Sequence, residues 1–283
     1  MCAMSMFRRL LLPSILTAVL ALAASLALAG PGDRARPLYD ALGMPVLLEI
    51  LLEEGRGYGA ELEEDLFPGR GRAEWARAVA AIYAPERMER TILAQLDSEL
   101  TDQELAEIGG YFGSEAGQKI IALEIAARRA MLDEAVEEAA TEGWLALESE
   151  DGARWRLLTE FAEVNDLIET NVAGAMTSNY AFYRGLMQGE AFAFELTEEQ
   201  ILTDVWNQEA EIRENTRDWV FSFTSLAYQP LSDDELADYV AFSRTPEGKA
   251  LNAALFAAFN VLFAEISLEL GLGAAHYLSG QDI

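Results

Sequence analysis

The chain has 283 residues, 48 of them acidic and 20 basic, for a formal charge of −28. That deficit of Lys and Arg excludes a nucleic-acid surface, whose affinity rests on clustered cations displacing counterions from phosphates. One His and one Cys are too few for a zinc site of the usual type or for a disulfide framework. With 51% hydrophobic residues, the chain can bury the core of one large domain or of two ordinary ones.

The N-terminal residues read as an export signal. Met6-Phe7-Arg8-Arg9 is a basic stretch, an apolar run follows from Leu10 to Leu26, and Ala27-Leu28-Ala29 before Gly30 is a small-x-small cleavage site. A retained membrane anchor is the competing reading, because the run approaches the length of a spanning helix. Cys2 precedes the apolar run, whereas a lipoprotein cysteine would follow it. Cleavage after residue 29 would remove two Arg, no acid and the only thiol. Two tandem units are then expected, a first helical unit over 30–145 and a second over 146–283, with the option that they pack as one domain.

Pro45 opens a helix through Val46–Leu52, and Gly55-Arg-Gly57-Tyr-Gly59 after it is expected to cap that helix and form a turn. The same glycines imitate a dinucleotide fingerprint, but that signal needs a preceding strand. Glu61, Glu63, Glu64 and Asp65 form an acidic run without the spacing of a calcium loop, so a solvated face is expected. Thr101 with Glu104 makes a capping box ahead of Leu105, Ile108 and Tyr111. Ser114 supplies the next N-cap, and a helix with Ile121, Ile125 and Leu132 on one face follows. Its charged pairs Glu124/Arg128 and Arg129/Asp133, four apart, suggest a surface helix. Gly143 and Ser149-Glu-Asp-Gly152 mark turns and a candidate boundary.

In the second half, Thr197 with Gln200 makes another capping box ahead of Ile201 and Trp206. Ser232 with Glu235 opens a short helix carrying Leu236, Tyr239 and Phe242, and Thr245-Pro246 then caps a long one. From Leu251 to Leu270 this last helix is apolar around most of its circumference and reads as a buried central helix. Asn252, Asn260, Glu265 and Glu269 argue against a membrane span. No alternating pattern bounded by hairpin turns stands out, so the fold class is all-α, a multi-helix bundle.

The two capped corners resemble one another at a constant offset. Gly117 and Gly248 are 131 apart, and the same shift carries Trp75 to Trp206, Met88 to Trp219 and Met131 to Leu262, ungapped from 75–139 to 206–270. This reads as duplication of a domain-sized unit, and it places Trp75 and Trp206 in equivalent core positions. Each glycine falls in the first turn of a long helix, where close approach of the preceding helix is its expected use.

Thr101 to Lys119 and Ser232 to Lys249 also resemble the bacterial family DUF2059. The shared pattern is Asp-x-Glu-Leu, an aromatic, then Ser or Thr, two residues and Gly with a nearby Lys. The second segment, Phe242-Ser-Arg-Thr-Pro-Glu-Gly-Lys, has its Lys one place early, and the first has Glu115 where the family usually carries Pro. The resemblance implies an all-α periplasmic protein of a family without an established activity.

No residue is assigned a catalytic, cofactor-binding or metal-binding role. His276 is the single His on which a Ser-His-Asp site would depend. Tyr180, Phe182 and Tyr183, and Phe192 with Phe194, read as core aromatics rather than a stacking platform. Glu265 and Glu269 lie on the most apolar helix, where a buried carboxyl would gain a raised pKa, but they read as its wet edge. The resulting expectation is a non-enzymatic periplasmic module that binds a protein or small ligand of the cell envelope in a groove between its related halves. It has no cofactor, no nucleic-acid partner and no stable membrane span after cleavage. The alternative is a carboxylate-dependent hydrolase of envelope sugars or peptides, and an envelope-associated structural role is a further option.

Overall fold

A computed structural model describes residues 34–191 and 197–279. The signal-like segment, Cys2, Phe192 and Phe194 lie outside them. The described residues form helices α1 (Arg36–Ala41), α2 (Met44–Leu66), α3 (Arg72–Ile82), α4 (Pro85–Glu99), α5 (Asp102–Phe112), α6 (Glu115–Ala130) and α7 (Glu134–Glu150). After these come α8 (Ala153–Val164), α9 (Leu167–Gln188), α10 (Glu198–Trp206), α11 (Glu209–Tyr228), α12 (Asp233–Ser243) and α13 (Pro246–Leu278). Among the described residues there is no strand, and the protein is an all-α multi-helix bundle.

Helix α13 occupies the centre. Leu255, Ala258, Phe259, Leu262, Ile266 and Leu270 are each at most 1% exposed, because the helix packs on α9, on α12, and on α2, α3, α4 and α5. By length and composition it is apolar enough to cross a membrane, and 56% of its most apolar window is buried inside the fold. Its closest neighbour is α9. There Gly185 and Gly271 meet so tightly that a Cβ at Gly271 would lie 2.2 Å from the carbonyl oxygen of Phe182. One hydrophobic cluster runs from Ala35 to Ala275 and takes in both halves of the chain.

The two corners form as their capping residues dictate. The Glu104 N–H donates to Thr101 Oγ1 at 3.2 Å while the Thr101 N–H donates to the Glu104 carboxylate at 2.8 Å. Ser232 and Glu235 exchange the same two bonds. Ser114 and Thr245 then accept from the N–H groups of Gly117 and Gly248. A Cβ at Gly117 would meet the backbone of Phe112 at 2.6 Å, and one at Gly248 the carbonyl oxygen of Phe242 at 2.2 Å. The corners face each other: the rings of Tyr111 and Phe242 stack 3.6 Å apart, and Lys119 reaches Glu235 at 2.6 Å.

Four expectations are corrected. Gly55-Arg-Gly57-Tyr-Gly59 does not end a helix, since α2 runs through it to Leu66. Each interior glycine costs roughly 1 kcal/mol against Ala, but Gly55 and Gly59 share a face against which α3 packs. A Cβ at Gly55 would sit 2.6 Å from the Tyr83 ring, and one at Gly59 2.6 Å from Val79. The Trp75 indole N–H also donates to the Gly59 carbonyl at 2.6 Å.

Gly143 is not a turn either; it lies within α7, held helical by Trp144, which is buried and stacked on Trp155. The chain turns only afterwards, at Asp151, which has a positive φ of 47°. Helix α6 does keep an exposed face, with Gln118, Lys119, Ala122, Ala126 and Arg129 in solvent, but the Glu124/Arg128 pair is not on it: these two are 1% and 5% exposed. Trp206, expected in a core position equivalent to that of Trp75, is 70% exposed, whereas Trp75 is fully buried. Helix α10, which ends at Trp206, packs on α9 through Ile201 and Val205, so Trp206 lies off its buried face.

Candidate functional site

Two clusters of buried polar groups stand out. In the first, the Arg128 guanidinium grips the Glu54 carboxylate through two bonds of 2.6 Å and lies 5.1 Å over the Trp219 ring. Next to it Glu124 accepts from the Tyr228 hydroxyl at 2.7 Å and from Tyr239 at 3.4 Å. Burial, and then the nearby Glu124 charge, hold the Tyr228 phenol well above its usual range. This network joins α2, α6, α11 and α12, with Arg128 paired to Glu54 and one Glu124 oxygen held by two tyrosine hydroxyls, so it ties the register of these helices together. The sequence carried a signal for it. Ile120, Ile121, Glu124, Ala127, Arg128 and Met131 recur at helical spacing, so the two charges interrupt the apolar stripe itself instead of the opposite face.

The second cluster lines a recess. Helix α9 presents Asn171, Gly174, Ala175 and Ser178 at spacings of three and four, and α13 presents Asn260, Phe263, Ser267 and Leu270 in the same way. The opposite wall is Tyr58 of α2 and Tyr83, which caps the end of α3. That wall exists because of the Gly55 contact with the Tyr83 ring. Gly174 plays the matching part across the recess, since a Cβ there would lie 2.5 Å from Asn260 Oδ1. The space in it free for solvent measures about 20 Å³, room for about one water. Counted with its solvent-open mouth, the recess holds about 450 Å³ of empty space.

The hydroxyl oxygens of Tyr58 and Tyr83 are buried and have no hydrogen-bond partner among the described residues. Burial raises both phenols well above their ordinary pKa, with Tyr83 adding to the shift at Tyr58 and Glu54 to that at Tyr83. Both therefore stay protonated and able to donate throughout the physiological range. The lining side chains that can hydrogen-bond are phenols, amides and hydroxyls, and none carries a charge. Sequence reasoning missed this site because its walls come from four separated stretches, and Tyr58 lay in a segment read as a turn.

A shallower and larger recess, about 690 Å³ of empty space counted in the same way, lies over α8, lined by Asp151, Trp155, Arg156, Thr159, Glu160, Glu163 and Arg244. Two of its carboxylates are committed to guanidinium groups, Glu160 to Arg244 at 2.5 Å and Asp151 to Arg156 at 3.1 Å. Hydrogen bonding from Arg156 holds the Asp151 carboxyl below its usual range, which suits an anchored ion pair and not a proton donor.

The residues weighed from sequence fall elsewhere. Glu265 is exposed and accepts from Thr91 at 3.2 Å; Glu269 pairs with Arg87. Neither lines the recess. His276 is half-buried against Tyr277. Glu61, Glu64 and Asp65 are exposed, while Glu63 accepts from the Arg72 N–H at 2.7 Å. Phe182 is buried, and the exposed-edge Tyr180 donates to Glu198 at 2.5 Å. Among the described residues no three His, Cys, Asp or Glu side chains are grouped to hold a metal ion.

Residues 86–142 match the model of DUF2059, described as an uncharacterized protein conserved in bacteria. The match covers α5, α6 and their flanks, so the resemblance rests on the first corner, and its matched residues stop short of the second. No curated protein and no solved structure matches the chain.

Proposed function

We propose that this is an exported bacterial protein that binds a small ligand in the recess between α2, α9 and α13, and that it is not a hydrolase. The observation carrying this reading is the chemistry of the lining. Amide and hydroxyl side chains line it beside two phenols, an uncharged set suited to recognition, and no carboxylate or imidazole stands there to move a proton. Glu265 lies outside the recess, which further supports binding over acid catalysis. The recess is also bounded by Tyr58 and Tyr83 of the first proposed unit and by α9 and α13 of the second. That fits a groove between halves derived by duplication. Export rests on the Arg8-Arg9, Leu10–Leu26 and Ala27-Leu28-Ala29 sequence and on the bacterial family resemblance.

The test is retention of small molecules. The protein is incubated with a small-molecule extract of bacterial envelopes and recovered by ultrafiltration, and bound compounds are identified by mass spectrometry. Wild type should retain a compound that Ala175→Leu, which fills the mouth, does not. Conversion of the retained compound to a hydrolysis product, lost in Glu265→Gln, would replace binding with catalysis. The intact mass of the protein from its native compartment should correspond to a chain beginning at Gly30; a full-length chain in the membrane fraction would replace export with anchoring.

A further inference from the structure

Two copies of a unit can pack in two ways. In a head-to-tail array each copy lays one face on a different face of the next. Around a two-fold axis the same face meets itself, so a residue on the axis touches its own counterpart and every other contact has a reciprocal.

In this chain counterparts touch. Tyr111 and Phe242, 131 positions apart, are the two rings stacked at 3.6 Å. Helix pairs are reciprocal as well. Helix α4 of the first segment packs on α13 of the second, while α11, which contains most of the counterpart of α4, packs on α6, the counterpart of the start of α13. Both pairs are antiparallel: Arg87 reaches Glu269 and Thr91 reaches Glu265 in one, and Glu124 holds Tyr228 while Arg128 lies over Trp219 in the other.

One contact lacks its mate. Lys119 bridges to Glu235, and the reciprocal contact would join position 250 to Glu104. The residue there is Ala250, and Lys249, one place early, is exposed and makes no ion pair among the described residues. Glu247 nevertheless lies close to Glu104 and Glu107, which puts the start of α13 beside α5 as the start of α6 lies beside α12.

We propose that the chain is a homodimer written into one polypeptide: segments 75–139 and 206–270 associate through the same self-complementary face, about a two-fold axis between Tyr111 and Phe242, and the partner this face fits is a second copy of itself. The inference stands on contacts within the chain and is independent of any ligand. The family match spans one corner, so a relative with a single corner would need a second chain to cover the same face.

The experiment moves one charge in the whole chain. Lys249→Ala combined with Ala250→Lys keeps the net charge and turns the ammonium about 100° around α13, into the place that Lys119 holds on α6. A bridge to Glu104 is expected. Titrated by NMR with ¹³C-labelled glutamate, that carboxyl should fall further below its usual range than in wild type. Thermal midpoint should rise by about 1–2 °C, a gain that vanishes when Glu104→Gln is added. The second test exchanges the rings on the axis, Tyr111→Phe with Phe242→Tyr. Counterpart sites accept the exchange, and the variant should melt within about 1 °C of wild type; unrelated sites would force the added hydroxyl against a packed surface and lower the midpoint by several degrees. Absence of coupling between the moved ammonium and Glu104, in a variant that melts like wild type, overturns the proposal, and so does an exchange that loses several degrees. Should moving the Lys unfold the chain, the ring exchange decides by itself.

Discussion

The segments 75–139 and 206–270 share a residue pattern and form the same capped corner, α5 to α6 and α12 to α13, yet they differ on both sides of it. In the first, α6 stops at Ala130 and α7 restarts at Glu134, because the Asp133 carboxylate accepts from the Ala135 N–H and caps a new helix. The corresponding residues in the second are Leu262, Phe263 and Ala264. These offer no cap, and α13 runs on unbroken for 33 residues. Upstream, Pro85 opens α4 and separates it from α3, whereas its counterpart Thr216 lies inside α11. Helix continuity thus turns on one or two residues that either supply or withhold a terminus. The corner itself is protected twice over, by hydroxyl caps and by a glycine pressed on backbone.

That comparison can be broken most forcefully at the two tryptophans. Trp75→Ala should cost about 4 kcal/mol in urea unfolding, since it empties a fully buried site and removes the bond to Gly59. Trp206→Ala should stay within about 0.5 kcal/mol. Equal costs would mean that the two positions are equivalent after all. Next come the corner glycines. Gly248→Ala should lose about 3 kcal/mol and Gly117→Ala about 2 kcal/mol, in the order of their clearances of 2.2 Å and 2.6 Å from backbone atoms. The caps should be alike: Ser114→Ala and Thr245→Ala should each lower stability by about 1 kcal/mol in the same assay.

The smallest effect separates the corners by pH. Hydrogen bonding from Lys119, and then from the Ser232 backbone N–H, pulls the Glu235 carboxyl down to about 2. A depressed carboxyl contributes stability that is present above its unfolded value, about 4.3, and is lost as pH falls toward its folded value. The advantage of wild type over Glu235→Gln in thermal midpoint should therefore fade between pH 5 and pH 2 or so. Gln keeps the capping geometry, so this isolates the charge. Glu104 is also lowered, but by Thr101 alone with no Lys in reach, and Glu104→Gln should show a weaker trend. A pH-independent difference at Glu235 would show that the Lys119 bridge adds nothing.

Much of the local structure was legible. Thr101/Glu104, Ser114, Thr197/Gln200, Ser232/Glu235 and Thr245 all cap helices as their spacing predicts, because a cap is satisfied by residues three apart along the chain. Misreadings arose where a distant partner decided the outcome. Gly55 and Gly59 look like helix terminators until Tyr83 and Val79 pack into the space they leave. Glu124 and Arg128 look like a solvated pair until Glu54, Tyr228 and Tyr239 supply buried partners. The candidate site was hidden for the same reason: Tyr58, Ser178 and Ser267 are unremarkable apart and acquire a common role only when α2, α9 and α13 meet.

By itself, then, the sequence determined what short-range chemistry controls: an all-helical chain, the positions of its caps, the apolar length of α13, and a net charge unsuited to phosphate. Only the tertiary structure decided which glycines serve contact instead of turning, which charges are buried, which tryptophan enters the core, and where amide and hydroxyl side chains gather around an uncharged recess. The division has one physical reason. Capping and helical periodicity are satisfied within a few residues, whereas burial and polar pairing depend on surfaces brought together from separate helices, well apart along the chain.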